Sequence, residues 1–245
     1  MITGAAIVPS PPLLARSLTG RSVVLPELRE ACAIALGRLL SVPADVVAVV
    51  GGAATTAAWE PDDRLNVAAW AGAYGGRAAR HAGGAPGGRT EDPLGEAQLP
   101  LPVGIGAGLL DEAGYAGPRA LQSVDGAAPA ADCASVGVRV AGLAPRVALL
   151  VVGDGSARRT PAAPGYFDER AQAFDAGAET AIRHGDMGAL ARLDGALAAE
   201  LMATGRAAWQ VLAGAVGLDR RAPGEILYAD APFGVSYLVA VLDVT

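Results

Sequence analysis

One stretch of the sequence constrains the fold more than any other: the apolar run Val147–Val152 and the glycine-rich loop behind it. Six apolar residues are too few for a helix, and a run that contains several valines and ends at a glycine is typical of a strand buried on both faces. The chain then turns at Gly153–Ser156, where backbone N–H groups can be exposed, and Arg158 and Arg159 follow. Because ligands of open α/β sheets bind at the carboxyl ends of the strands, this loop is the predicted site.

Strands and helices alternate along the rest of the chain. Ile2–Val8 is predicted to be a strand that ends at Pro9, and Asp45–Val50 a second buried strand behind a helix that begins near Pro26. This β–α–β order predicts a parallel pair with a right-handed crossover. The other predicted elements are helices over 104–113 and 129–143, helices that begin near Phe167, Asp186 and Arg206, and strands over 121–124, 225–228 and 235–241.

These elements predict the fold class and the domain organisation. We expect a single domain over residues 1–245, of α/β class, with three layers and a mostly parallel central sheet that has helices on both faces. Cys32 and Cys133 fall on apolar helix faces and are expected to be buried, reduced thiols.

Charge and hydropathy exclude several classes of function. The net charge is −6, and the only paired basic residues are Arg158–Arg159 and Arg220–Arg221, so nucleic acid is not an expected partner. The chain has no lysine, which excludes a Schiff-base mechanism and a P-loop. No window approaches the ~20 apolar residues that a membrane-spanning helix needs. Prolines interrupt the first apolar run and no basic segment precedes it, so this run does not have the pattern of a signal peptide. We therefore expect a cytoplasmic protein without a membrane partner.

The polar residues of the central loop suit an anionic ligand. Asp154, Ser156, Arg158 and Arg159 lie together at the strand's carboxyl end, where guanidinium groups and exposed N–H groups would hold a carboxylate or a phosphate. A purely structural alternative is that Asp154 caps the turn and one arginine pairs with the nearby acidic residues at 168 and 169.

Residues elsewhere could complete this pocket. Arg206 lies four residues before Gln210, on the same face of a predicted helix, and could support the site. Trp59, Trp70 and Tyr166 are the aromatic residues expected to line it, although scarce aromatic residues more often belong to a core.

Four segments give the chain a resemblance to a known family. Val8–Leu14 resembles the Pro-His-Pro-Pro-Leu opening of the class III extradiol ring-cleavage dioxygenases of the subunit-B-like type, whose fold the Memo proteins share. Gly153–Ser156, with Ala163–Arg170 behind it, is similar to the central loop and helix of that family. Pro232–Tyr237 is similar to its closing strand. The resemblance spans nearly the whole chain and is strongest to an alanine-rich actinobacterial branch.

The resemblance implies a ferrous iron that two histidines and a carboxylate hold. The corresponding positions of this chain do not carry those ligands. Ser10 stands in the place of the first histidine, Gly51–Thr55 has none after the second strand, and Ala157 and Arg158 replace the histidine of the central loop. Thr204–Arg206, which precedes the helix of Trp209, has no carboxylate, thiol or imidazole. We therefore expect a degenerate metal site and no cofactor, with Fe2+ as the alternative.

Three hypotheses of function stay open. In the first, a small anionic molecule binds at the carboxyl ends of the strands, with non-redox chemistry or none. In the second, a working dioxygenase uses relocated ligands such as His81, since His184 is better explained as the last residue of a helix. In the third, the chain is a non-catalytic subunit of a homo-oligomer. The candidate ligand-binding residues are Ser10, Thr55, Asp154, Ser156, Arg158, Arg159 and Arg206.

Overall fold

One sheet runs through the chain in the computed structural model, which describes residues 1–19, 24–65 and 99–244. Its strands are β1 (Ile2–Val8), β2 (Val46–Ala53), β3 (Ala57–Trp59), β4 (Arg119–Asp125), β5 (Val147–Val152), β6 (Gly224–Asp230) and β7 (Tyr237–Leu242). They lie in the order β3-β4-β2-β5-β1-β7-β6. The four central strands, β4, β2, β5 and β1, are parallel, whereas β3 and β7 join them antiparallel and β6 pairs antiparallel with β7.

Helices connect most of these strands. They are α1 (Arg16–Thr19), α2 (Pro26–Ser41), α3 (Leu101–Glu112), α4 (Ala130–Ala141), α5 (Arg170–His184), α6 (Met187–Ala191), α7 (Gly195–Glu200) and α8 (Arg206–Val216). The prediction of a mixed α/β fold with a largely parallel centre is thus confirmed, and β1 and β5 have the predicted bounds. In the described ranges, no helix combines the length and the hydropathy that a membrane crossing requires.

Strand β5 contributes to two separate hydrophobic clusters, as alternation of its side chains requires. Its residues 147, 149 and 151 pack in one cluster with buried residues of α4, α5, α6 and α8. Its residues 148, 150 and 152 pack in the other cluster with buried residues of α2 and α3. All six side chains are buried, which confirms that this run is a strand covered on both faces.

The predicted pairing of β1 with β2 is wrong, although the two strands are parallel. Strand β5 lies between them, because Val152 aligns with Val8 of β1 on one side and with Gly51 of β2 on the other. Strands that follow each other in sequence are neighbours in only about two thirds of cases. The most apolar strand takes the centre, where both of its faces are covered.

The sequence predicts that the helix that begins near Asp186 continues to Gly205, and this is also wrong, because the structure has two short helices there. Asp186 caps the first, as predicted, by accepting the Ala189 N–H at 2.9 Å. Asp194 caps the second by accepting the Ala196 N–H at 2.8 Å. An aspartate that binds backbone N–H groups in this way favours a new helix start over a continuous helix.

The helix predicted near Phe167 begins three residues later, at Arg170. The sequence predicts an apolar stripe of Phe167, Ala171, Phe174, Ala178 and Ile182 on this helix. Phe167 is 58% exposed and does not join the stripe, whereas the other four residues are buried. Asp168 pairs with Arg170 at 2.7 Å and holds the chain outside the helix at this point. Strand β3, a short edge strand, was not predicted at all.

Both cysteines are free and fully buried, as the sequence predicts. Cys32 lies in α2 and Cys133 in α4. Burial raises the pKa of the Cys32 thiol to about 12, and it raises the pKa of Cys133 as well. Both thiols therefore stay protonated near neutral pH and behave as small apolar side chains.

Candidate functional site

The carboxyl ends of β1 and β5 meet at a serine and an aspartate. Ser10 donates its backbone N–H to one oxygen of the Asp154 carboxylate at 2.7 Å. Its hydroxyl donates to the other oxygen at 2.9 Å. Ser10 is buried, with 4% exposure, whereas Asp154 is half-buried. No arginine of the described residues lies within ion-pairing distance of this carboxylate.

This environment changes the acidity of Asp154. Burial raises the pKa of its carboxyl to about 6, although the two hydrogen bonds from Ser10 act in the opposite direction. Loss of hydration disfavours the charged form, and none of the cations in the described ranges compensates. Near neutral pH the group therefore exchanges between a carboxylate, which only accepts hydrogen bonds, and a carboxylic acid, which also donates one.

Backbone from the start of α8 packs directly on the strand ends. A Cβ atom at Gly153 would lie 2.4 Å from the Cα atom of Gly205, and one at Gly52 would lie 2.7 Å from the carbonyl oxygen of Thr204. Gly205 also donates its N–H to the carbonyl oxygen of Asp154 at 2.7 Å. Gly52 and Gly153 are therefore needed for this close approach, and the segment before α8 occupies space that was predicted to be part of the pocket.

The loop after β5 does not offer the exposed N–H groups that the sequence suggested. At four of its positions the N–H group donates to an acceptor within the protein, which comes from the turn before β7, from α5 or from the residue after α7. The bonds are Gly155 to the Ser236 carbonyl at 2.8 Å, Ser156 to the Asp175 carboxylate at 2.8 Å, Ala157 to the Leu201 carbonyl at 2.9 Å and Arg159 to the Gly234 carbonyl at 3.0 Å. An anion cradle made of these groups is thus excluded.

Asp175 of α5 organises the second half of the loop. It is only 8% exposed and accepts the N–H and the hydroxyl of Ser156, at 2.8 Å and 2.6 Å. Arg159 donates to the same carboxylate at 3.2 Å. The arginine of the structural alternative therefore pairs with Asp175, and Asp168 pairs with Arg170 instead. Sequence reasoning missed Asp175, whose one signal was a carboxylate directly after Phe174 in the apolar stripe.

The buried Arg206 side chain has a structural role, since its donors bind other parts of the protein, and it is not a pocket residue. The side chain is 4% exposed and donates to the Ala128 carbonyl at 2.7 Å and to Gln210 Oε1 at 2.8 Å. It also donates to the carbonyl of Gly126, in the loop after β4. The predicted proximity of Arg206 and Gln210 on one helix face is confirmed, but Gln210 also binds backbone, since its amide donates to the carbonyls of Ala191 and Leu193 at 3.0 Å.

Arg158 and Thr55 lie apart from these networks. The Arg158 side chain runs past Gly165, where a Cβ atom would lie 2.7 Å from its Cγ atom. The pKa of Asp168 is lowered to about 2, mainly by Arg170 and to a smaller extent by Arg158. Thr55 is exposed, and its carbonyl accepts the Ser123 hydroxyl at 2.8 Å. The structure thus joins Ser10 with Asp154, and Ser156 with Arg159 through Asp175, but it does not gather all seven candidates in one site.

A cleft opens next to the second network. It has a volume of about 240 Å3 and lies between α5 and the adjoining ends of β6 and β7. Arg159, Asp175 and Trp209 are among its lining residues.

Of the predicted aromatic residues, Trp59 donates to Ser123 at 2.9 Å and Tyr166 is 76% exposed, while Trp70 lies outside the described residues.

Comparisons with known proteins inform the fold alone. No family model and no curated protein matches the chain. The crystal structure of an uncharacterised protein, JW3007, from Escherichia coli K12 is similar, with a TM-score of 0.51 and 15% sequence identity over 98% of this chain and 99% of that one. The two proteins share a fold. The resemblance to extradiol dioxygenases stays a prediction.

The described residues do not fit the ferrous iron that this resemblance implies. The Ser10 hydroxyl, in the place of a histidine, is bonded to Asp154, and Thr55 faces solvent. His184 ends α5 and donates its Nδ1–H to the carbonyl of Thr180 at 2.9 Å. Among residues 1–19, 24–65 and 99–244, no three His, Cys, Asp or Glu side chains are grouped to hold a metal. His81, the relocated ligand of the dioxygenase hypothesis, lies outside these ranges.

Proposed function

We propose that this protein is an iron-independent relative of the extradiol dioxygenases that binds a small molecule beside Ser10 and Asp154, and that Asp154 exchanges a proton with its ligand. One observation carries the proposal: a half-buried carboxyl at the strand ends whose two oxygens are bonded to Ser10 and which has no arginine within reach in the described chain. In this proposal the two hydrophobic clusters lie on opposite faces of the sheet and form a three-layer scaffold with it. Ser10 and Asp154 lie at the carboxyl-terminal edge of that sheet.

An ionisable group is a poor choice for a purely structural tie at this position. Burial of a carboxylate that lacks a cationic partner costs free energy, while a neutral amide could accept a hydrogen bond from Ser10 without that cost. Ionisable groups with displaced pKa values concentrate at functional sites for this reason. The raised pKa of Asp154, about 6, thus supports a role in ligand binding or in proton transfer.

The chemistry of Asp154 favours an oxygen-bearing ligand. In its protonated form the carboxyl donates a hydrogen bond, so it suits a carboxylate, phosphate or carbonyl oxygen. A small anion is therefore the ligand class that suits this site. The protonated Asp154 carboxyl would be its donor, because the loop N–H groups are bonded within the protein. Binding of an anion should strengthen as the pH falls through 6. The chemistry available to this pair is non-redox, such as proton transfer.

Thermal-shift screening of carboxylates and phosphates tests this function. The chelator-treated wild type is compared with Asp154→Asn, Ser10→Ala and Arg158→Ala on both sides of pH 6, and Asp132→Asn, which changes an exposed carboxylate of α4, is the matched control. We expect a ligand that stabilises the wild type and the control more strongly at the lower pH, with this pH dependence lost in Asp154→Asn. Equal stabilisation of wild type and Asp154→Asn at every pH would contradict the proposal.

A further inference from the structure

The three exposed aromatic side chains of the described chain all lie around the loop after β5. They are Tyr166 at 76% exposure, Phe167 at 58% and Phe233 at 48%. Met202, in the turn after α7, is 44% exposed and lies next to this loop, since a Cβ atom at Gly165 would lie 2.8 Å from its Sδ atom. We refer to these four exposed residues as the apolar patch.

The turn before β7 brings Phe233 to the same surface as Tyr166. The carbonyl of Gly234 accepts the Arg159 N–H at 3.0 Å, and a Cβ atom at Gly234 would lie 2.5 Å from the Cβ atom of Ala163. The carbonyl of Ala163 in turn accepts the Tyr166 N–H at 3.0 Å. Phe233 and Tyr166 are therefore held on either side of Ala163 and belong to one surface.

The apolar patch is large enough to form the centre of a protein interface. At these exposures the four side chains present roughly 400 Å2 of surface, since a fully buried aromatic side chain covers ~150–250 Å2. This is about half of the ~800 Å2 that each partner contributes to a standard interface. Exposed apolar patches of several hundred Å2 mark interaction sites on soluble proteins.

Two residues of the patch have backbone conformations that favour glycine. Tyr166 has a φ of 60° and Met202 a φ of 56°, both in the left-handed region. This region costs free energy for residues with a Cβ atom, and glycine would occupy it without that cost. Strain of this kind is concentrated at functional sites. Large apolar side chains at these two positions are therefore better explained by a partner that covers them than by the folding of one chain.

Two unpaired side chains of opposite charge border the patch. Arg158 lies beside Gly165, and Glu169 is exposed directly before α5. Neither side chain makes an ion pair with any described residue. In a two-fold interface each contact occurs twice, with the roles of the two copies exchanged. A second copy of this chain would therefore supply a carboxylate for Arg158 and a guanidinium for Glu169 at the same time.

We infer that the apolar patch is the interface of a homodimer. The patches of two copies pack on each other about a two-fold axis, and Arg158 of each copy pairs with Glu169 of the other. The patch provides the apolar area, and the two charges make the surface complementary to itself. This interface uses neither Ser10 nor Asp154, so the inference does not depend on the function proposed for that pair.

Sedimentation analysis of the full-length protein from low to high micromolar concentration tests the dimer. We expect the wild type to dimerise with a micromolar or lower Kd. Tyr166→Gly and Phe167→Ser should each raise this Kd at least tenfold, as expected for aromatic side chains at the centre of an interface. Glycine suits the left-handed φ of position 166, so the first variant should stay folded. Val138→Ser, which changes an exposed valine of α4, should leave the Kd unchanged. A wild type that stays monomeric at high micromolar concentration would overturn the inference, as would a dimer that neither aromatic substitution weakens.

Charge reversal tests which residues meet across the interface. Arg158→Glu alone and Glu169→Arg alone each bring like charges together twice, so each should raise the Kd at least tenfold. An equimolar mixture of these two variants should associate nearly as tightly as the wild type, because both ion pairs of the mixed dimer are attractive again. Circular dichroism checks that each variant is folded, and if Arg158→Glu is not, the aromatic variants and Glu169→Arg decide. Association of the mixture that is no tighter than that of either folded variant would overturn the assignment.

Discussion

Ser10 gives both of its hydrogen-bond donors to one side chain, the carboxylate of Asp154. The backbone N–H lies 2.7 Å from Oδ1, and the hydroxyl lies 2.9 Å from Oδ2. These two residues are 144 positions apart in sequence and come together because Val8 and Val152 pair in neighbouring parallel strands. The bonds therefore connect the ends of two central strands through an ionisable group.

The raised pKa of Asp154 predicts a specific dependence of stability on pH. The folded protein binds this proton more tightly than the unfolded chain, so the contribution of Asp154 is fully present below pH 3.8 and is lost as the pH rises through about 6. Each tenfold difference in proton affinity corresponds to about 1.4 kcal/mol, which gives at most roughly 3 kcal/mol. Urea unfolding of wild type and Asp154→Asn across this range measures the difference, which should turn in favour of the variant above pH 6. A difference that does not vary with pH would contradict this expectation.

Asp175 of α5 should be more important for stability than the Ser156 side chain that it binds. Asp175→Ala leaves the N–H and hydroxyl of Ser156 without their acceptor in a buried place. Each unpaired group costs about 1–3 kcal/mol, so we expect a loss of roughly 3 kcal/mol or more in the free energy of unfolding. Ser156→Ala removes one donor together with its bond and should cost only about 1 kcal/mol. Chemical denaturation of the two variants checks this order, and equal losses would show that Asp175 is not the centre of the network.

Two glycine-to-alanine substitutions should have opposite effects. At Gly153 the new Cβ atom would lie 2.4 Å from Gly205 Cα, so backbone must move, and we expect destabilisation of about 2 kcal/mol or more. Gly177 is exposed within α5 and has no atom within 4 Å of a Cβ. Alanine there should stabilise the helix by roughly 0.5–1 kcal/mol. Thermal melting of both variants measures the contrast, and a tolerated Gly153→Ala would show that α8 does not pack this closely on β5.

The sequence predicted features that depend on neighbouring residues better than contacts between distant parts of the chain. The run Val147–Val152 predicted its strand correctly because six consecutive apolar residues are sufficient to indicate a strand that is buried on both faces. The same sequence could not show that Asp175 would take the Ser156 and Arg159 donors, because that contact depends on how α5 packs against the loop. Nor could it show that β5 separates β1 from β2. Local patterns specified elements, whereas tertiary packing decided which donors were left for a ligand.

Iron loading separates the proposed function from the dioxygenase hypothesis. The chain has two histidines, and the one within the described ranges, His184, ends α5, where no group of three or more described His, Cys, Asp or Glu side chains could hold a metal. A facial ferrous site requires two imidazoles and a carboxylate that converge. We therefore expect elemental analysis after anaerobic Fe(II) loading to find iron well below one equivalent, and no opening of catechol rings. Near-stoichiometric iron in the wild type that is lost in His81→Ala would support the dioxygenase hypothesis instead.

The most direct test of the account is the titration of the Asp154 carboxyl carbon in the wild type by nuclear magnetic resonance, with Asp154→Asn used to assign its signal. We expect a midpoint near 6, since burial opposes ionisation and no cation among the described residues compensates. Ser10→Ala removes a donor that favours the charged form and should raise that midpoint further. A midpoint at or below the ordinary value of 3.8 would show that Asp154 is a stabilised carboxylate that ties two strands, and would contradict its role in proton exchange.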